Sequence, residues 1–169
     1  MKEREQQKIF TSWLDQHKGL LFKILRAYAF TQEDREDLFQ EIAAQVWRSI
    51  PNFRQESAVT TWLYRIALNI AISWSTKERK QIEPHSIEGM EHLISEKETA
   101  IDERLAWLYE QIKDMNEVDK SLTLLLLDGF SYKEMSDMLG ITESNIGVKI
   151  HRIKKELIKK SEKYEYDGV

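Results

Sequence analysis

Between Gly129 and Lys160 the chain reads GFSYKEMSDMLGITESNIGVKIHRIKKELIKK, and few local structures satisfy that order of residues. Ser131 stands where a helix cap is needed, and Glu134 follows at capping-box spacing. Met135, Met138 and Leu139 give a short helix one apolar face, and Gly140 suits the left-handed residue that ends it. Thr142 can cap a second helix, with Asn145 three residues on. Ile146, Ile150, Ile153 and Leu157 then recur at four, three and four, which marks one stripe of that helix. Lys149, Arg152, Lys154, Lys155, Lys159 and Lys160 cover its other faces. A short apolar helix, a glycine turn and a basic helix match a helix-turn-helix whose second helix enters the DNA major groove. An ordinary helical hairpin with a solvated basic face has the same local pattern.

The rest of the chain carries helical periods too. Its 169 residues include six Gly, two Pro and no Cys. That composition predicts an all-α chain, with no disulfide, thiolate metal site or cysteine nucleophile. No apolar run reaches membrane-span length, and the charged start MKEREQQKIF has no signal-peptide core, so a cytoplasmic protein without direct membrane insertion is expected. The net charge of −4 is unevenly placed. Residues 1–82 and 144–169 are net basic, while 83–119 hold eleven acids against Lys97, Arg104 and Lys113. Overall acidity therefore does not exclude nucleic acid.

In order, residues 4–29 predict one helix, with Phe10, Trp13, Leu14, Leu21, Ile24, Leu25 and Tyr28 on its apolar face. Thr31 or Asp34 can cap a second helix, from about Arg35 to Ile50, which Pro51 stops. Thr60 or Thr61 can cap a third, to about Lys80. Its inner stripe is Trp62, Leu63, Ile66, Ala67, Ile70, Ala71 and Trp74; Tyr64, Arg65, Asn69, Ser73, Lys77, Arg79 and Lys80 fall on more exposed faces. Aromatics beside Arg, Asn and Lys suit unpaired bases, but Trp62, Tyr64 and Trp74, each taken alone, read first as core aromatics. Residues 81–98 read as an acidic linker; its His85 and His92 lack metal-ligand spacing. Ala100–Met115 and Val118–Leu127 complete a four-helix unit with the helix-turn-helix, and a polar, frayed tail is expected after Lys163. Two small helical domains are thus expected, at 1–81 and 99–164, joined through 82–98.

Three stretches resemble one family. Asp34-Arg35-Glu36-Asp37-Leu38-Phe39-Gln40-Glu41 with Trp47 is similar to DxEDLxQExxxxxW of region 2 in bacterial sigma-70 factors. Asn52-Phe53-Arg54, then Thr61-Trp62-Leu63-Tyr64-Arg65-Ile66-Ala67 and Asn69, resembles the next part of that region. Gly129 to Leu157 resembles region 4. The order of the three, with no intervening domains, resembles the small extracytoplasmic-function (ECF) class.

The resemblance implies a promoter-specificity subunit that binds core RNA polymerase and promoter DNA, has no cofactor or small-molecule substrate, and is often restrained by an anti-sigma factor. It puts Asp37, Leu38, Gln40, Glu41 and Trp47 on the polymerase-binding helix. Phe53, Arg54, Gln55, Glu56 and Ser57 fall in the loop that captures an unpaired base of the minus-ten element, and Arg65, Asn69 and Lys77 on the helix that follows the single strand. Ser144, Gly147, Val148, Lys149, His151, Arg152 and Lys155 form the minus-thirty-five set. Two departures stand out: Gly147 replaces a groove-facing base reader, and Leu125-Leu126 replaces a pair that is often charged. With the isoleucine stripe inward, Arg152 is expected as the main polar reader, Val148 against a thymine methyl, and Lys149 and Lys155 on phosphates. A stand-alone helix-turn-helix regulator would not need residues 34–69. An enzyme built on Glu36, Asp37 and Glu41 would lack His or Gly-rich partners.

Overall fold

The computed structural model describes residues 1–77 and 103–167, with side chains to residue 164. These residues are helical, with no strand among them, and the chain divides into two compact units, Met1–Glu103 and Arg104–Val169. The linker expected at 82–98, with His85 and His92, lies outside the described residues.

The first unit holds α1 (Glu3–Gln16), α2 (Lys18–Tyr28), α3 (Gln32–Ser49), a 3-10 turn (Ile50–Asn52) and α4 (Val59–Thr76). The single helix expected over 4–29 is two. His17 leaves helical geometry (φ −111°, ψ 21°), and Gly19, a weak helix former, follows. One non-helical residue barely shifts the apolar period, so the stripe runs through the break unchanged. The break lets the two halves face different neighbours: α1 packs on α3 and the 3-10 turn, α2 on α3 and α4. Phe10 and Leu14 reach the core from α1, and Leu21, Ile24, Leu25 and Tyr28 from α2. Burial of each such side chain contributes about 1.5–3 kcal/mol.

His17 is half-buried at this joint, and burial pulls its imidazole pKa below the ordinary 6.5. The fold therefore favours neutral imidazole, and as pH falls through about 6.5 the unfolded chain takes the proton first. The stability that rests on neutral His17 is present above that pH and is lost below it. Thermal melts from about pH 7.5 down to about 5.5 are expected to show a larger fall for wild type than for His17→Gln. Equal falls would remove His17 from the acid response.

Thr31 caps α3: the Asp34 amide donates to its Oγ1 at 3.1 Å. In α4 the expected threonine cap is not found. Ala58 is the N-cap without a side-chain bond, and Thr60 and Thr61 lie in the first turn. The buried stripe is rotated from the expected one: Tyr64 and Leu68 join Leu63, Ala67, Ala71 and Trp74, while Trp62, Ile66 and Ile70 are only half-buried. Because α2 and α3 both pack on α4, Tyr64 is in the core rather than on an exposed face. The helix ends at Thr76 rather than Lys80, where Lys77 turns extended (φ −84°, ψ 138°).

The second unit holds α5 (Glu103–Lys113), α6 (Glu117–Leu127), α7 (Tyr132–Leu139) and α8 (Glu143–Asp167). Asn116 caps α6 by accepting from the Asp119 amide at 2.9 Å. Leu122, Leu124 and Leu125 enter the core. The buried hydroxyls beside them bond within their own helix: Ser121 Oγ donates to the Val118 carbonyl at 2.6 Å and Thr123 Oγ1 to that of Asp119 at 2.7 Å. Lys120 is also buried, and burial lowers its pKa against the opposing pull of Glu117 and Asp114. The tail expected to fray past Lys163 continues as helix to Asp167, and Tyr164 packs on Trp107 of α5 with centroids 5.8 Å apart.

Candidate nucleic-acid interface

On α3 the polar residues of the expected docking set share an accessible face. Asp37 is exposed, and Gln40 and Glu41 are half-buried. Leu38 belongs to the core at 0% exposure, so its expected place among the contact residues is corrected to packing: it fixes the helix that carries the others. Trp47 is half-buried, edge-on to Phe10 at 5.4 Å, and its carbonyl accepts from Gln6 Nε2 at 2.7 Å. It joins α3 to α1 as much as it faces outward.

Beyond the 3-10 turn, residues 54–58 form an exposed loop. Phe53 anchors its start in a ring cluster, 5.2 Å from Trp13 and 5.0 Å from Trp62, with Trp13 and Trp62 themselves 5.5 Å apart. All three rings are half-buried. Phe53 is thus the loop's anchor rather than a free stacking ring, while Arg54, Gln55, Glu56 and Ser57 carry the accessible chemistry. Gln55 holds φ +58°, the one left-handed non-glycine among the described residues. Such a backbone costs on the order of 1 kcal/mol and persists only where its surroundings impose it. Nothing in the residue types announces it. On α4, Arg65 and Asn69 are exposed one turn apart, and exposed Lys77 caps the helix end. The three span about 18 Å at helical rise, a polar track leading from the loop.

In the second unit the turn geometry follows the local signals. Ser131 Oγ accepts from the Glu134 amide at 3.1 Å, and the Glu134 carboxylate accepts from the Ser131 amide at 3.0 Å. The bonds that its carboxylate accepts from Ser131, the backbone amide first, hold the Glu134 pKa below its ordinary value. Gly140 closes α7 at φ +70°, and Thr142 Oγ1 accepts from the Asn145 amide at 3.2 Å. Met135 and Met138 meet Ile146, Ile150 and Ile153 in the core. Ser144, Val148, His151, Arg152 and Lys155 are exposed, with Gly147 and Lys149 half-buried. A short helix, a left-handed turn and a basic helix buried along one stripe form a helix-turn-helix with its outer face open.

Two of these positions differ from the sequence reading. Arg152 is already engaged: its Nη2 donates to both Asp119 carboxylate oxygens, at 3.1 and 3.3 Å. Asp119 also accepts from Asn116 Nδ2 at 3.0 Å, so Arg152 ties α8 to the start of α6. Gly147 lies beside Tyr132 of α7, whose ring carbons are 3.6 and 4.0 Å from where a Cβ would stand. Neither Asp119 nor Tyr132 entered the predicted site; only the packing of α6 and α7 on α8 brings them there. Of the Leu125-Leu126 departure, Leu125 is core and Leu126 half-buried.

The family model for Sigma-70 region 2 matches residues 13–81, and that for Sigma-70 region 4 matches residues 107–157. The chain belongs to the sigma-70 family. It is of the ECF type and is a promoter-specificity subunit of RNA polymerase. The ECF RNA polymerase sigma-E factor of Haemophilus influenzae is 29% identical over 166 residues, covering 89% of this chain and 87% of that one. Those of Escherichia coli K12 and Salmonella typhimurium LT2 are each 26% identical over 138 residues, 73% of this chain and 72% of theirs. In this sigma factor, region 2 takes in the ring cluster, the loop and α4, and region 4 takes in the helix-turn-helix. The model match for region 2 begins at Trp13, so most of α1 precedes it.

Proposed function

We propose a division of labour between the two units. In region 2 the face of Asp37, Gln40 and Glu41 docks on core polymerase. The loop Arg54–Ser57 captures an unpaired base, and Arg65, Asn69 and Lys77 follow the single strand of the minus-ten element. In region 4 the outer face of α8 reads the minus-thirty-five element: Lys149 and Lys155 neutralise phosphates, Ser144, Val148 and His151 face the groove, and Arg152 holds the helix in place. The factor works in the cytoplasm, catalyses nothing itself, and is held in reserve by an anti-sigma protein.

The observation that carries this reading is the presence of both regions, in family order, on one chain whose exposed polar residues fall on the matching elements. Acidic residues at a partner's rim mainly set association rate and specificity. Run-off transcription with core polymerase on genomic DNA tests the whole reading. Wild type is expected to yield discrete promoter-dependent transcripts. Changing Gln40 and Glu41 together to Ala is expected to weaken core binding roughly tenfold, about 1.4 kcal/mol, without lowering the melting temperature. Unchanged affinity in a titration with core would remove α3 as the docking face. Tight, specific binding of duplex by the free chain, with no effect of core, would favour a stand-alone regulator.

A further inference from the structure

Gly147 has no evident task in the folded chain. It is in the body of α8, where glycine is less stable than alanine, and it does not hold a left-handed backbone. A methyl group there would meet the Tyr132 ring at 3.6 Å, an ordinary contact that needs no rearrangement. Packing therefore does not exclude a side chain at 147. What glycine leaves is bare α8 backbone beside the ring of Tyr132; Gly147 itself is half-buried and Tyr132 is 40% exposed. Val148, the next residue, is 68% exposed and is the most exposed large apolar side chain described. Water gains no polar partner from such a surface, so an apolar group of about methyl size is its best occupant.

We infer that Tyr132, Gly147 and Val148 together form a thymine-methyl slot that sets base preference at one position of the upstream element. This rests on the reading of α8 as the groove helix. Of the four bases only thymine presents a methyl in the major groove, and apolar side chains select it there. The missing side chain at 147 lets the base edge come down to the helix backbone, and a ring supplied by α7 replaces the contact that α8 does not make. Tyr132 is then a specificity residue although it lies outside the second helix.

The test uses the full factor bound to core polymerase and an upstream element selected by wild type from a random duplex pool. Each thymine is replaced in turn by deoxyuridine, which lacks only the methyl. One replacement is expected to weaken wild-type binding roughly threefold to fourfold, the worth of one buried methyl. Gly147→Ala fills the slot and Tyr132→Ala removes a wall; both are expected to lose sensitivity at that position while keeping the preferences elsewhere. Gly147→Ala is also expected to keep or raise the melting temperature, so its loss cannot be assigned to unfolding. If no replacement matters, or if sensitivity survives Gly147→Ala, the slot is refuted while groove reading stands. If wild type selects no upstream element, the groove reading falls together with the slot.

Discussion

Deleting Gln55 and Glu56 is expected to abolish open-complex formation on a duplex promoter and to leave a pre-melted template usable. The loop is short, polar and exposed, and its entry is fixed by Phe53 in the Trp13–Trp62 cluster. Extruding a base costs a few kcal/mol, and stacking on the protein returns about 1–3 kcal/mol per base. The balance is close, so losing the capture site is expected to lower the melted population more than about a hundredfold, roughly 2.7 kcal/mol. Permanganate reactivity near the start site reads this directly. Gln55→Gly keeps the loop length and relieves the positive φ while removing one capture side chain; it is expected to keep its thermal stability and to melt promoters less well than wild type but far better than the deletion. Normal permanganate reactivity in the deletion would exclude the loop from strand capture. Failure of both variants on pre-melted template as well would place the defect in docking instead.

Arg152→Ala is expected to weaken upstream binding uniformly and to leave the sequence logo unchanged. From residue type alone Arg152 is the natural base reader, but its Nη2 is held by Asp119, which Asn116 also contacts. The Arg152 side chain is 52% exposed and that of Asp119 12%, so screening limits the pair to about 1 kcal/mol. In a unit of this size that corresponds to a fall of roughly 4–8 °C in melting temperature. Asp119→Ala is expected to fall further, because it also frees Asn116 Nδ2. A double-mutant cycle between the two positions is expected to show coupling of about 0.5–1 kcal/mol. Selection of upstream sequences by each variant separates the roles. A logo relaxed at one position with unchanged melting temperature would return Arg152 to the groove.

What the sequence disclosed depends on how local each cause is. Ser131, Glu134, Gly140 and Thr142 act within three or four residues, and their caps and turn are found where the residue types put them. The Ile146–Ile150–Ile153 stripe is equally local in origin and is buried as its spacing requires. The period of α4 puts Tyr64 on a more exposed face while its residue type reads as core; the core reading holds, for a reason no single helical period reveals, that α2 and α3 both pack on α4. The break at His17 was hidden because the apolar spacing continues across it. Asp119 and Arg152 are 33 residues apart, and nothing in either segment indicates that α6 presents one to the other. The positive φ of Gln55 has no compositional sign, since glycine or asparagine would be usual there. The docking and DNA residues were legible mainly through resemblance; composition by itself led only to exposed polar faces.

Trp13 has a practical bearing on how this protein can be handled. The ring that steadies the entrance of the melting loop is supplied by the chain's first helix, through contacts with Phe53 and Trp62. The same helix supports α3 through Phe10 against Trp47 and through Gln6 on the Trp47 carbonyl. An affinity tag, fluorophore or fusion partner that unwinds the first sixteen residues would therefore act at a distance, on a loop some forty residues further along the chain. A preparation so labelled is expected to initiate poorly, through the loop and through the α3 docking face together, and the fault would be sought in the promoter. Labels are better carried beyond the last turn of α8 than ahead of Glu3.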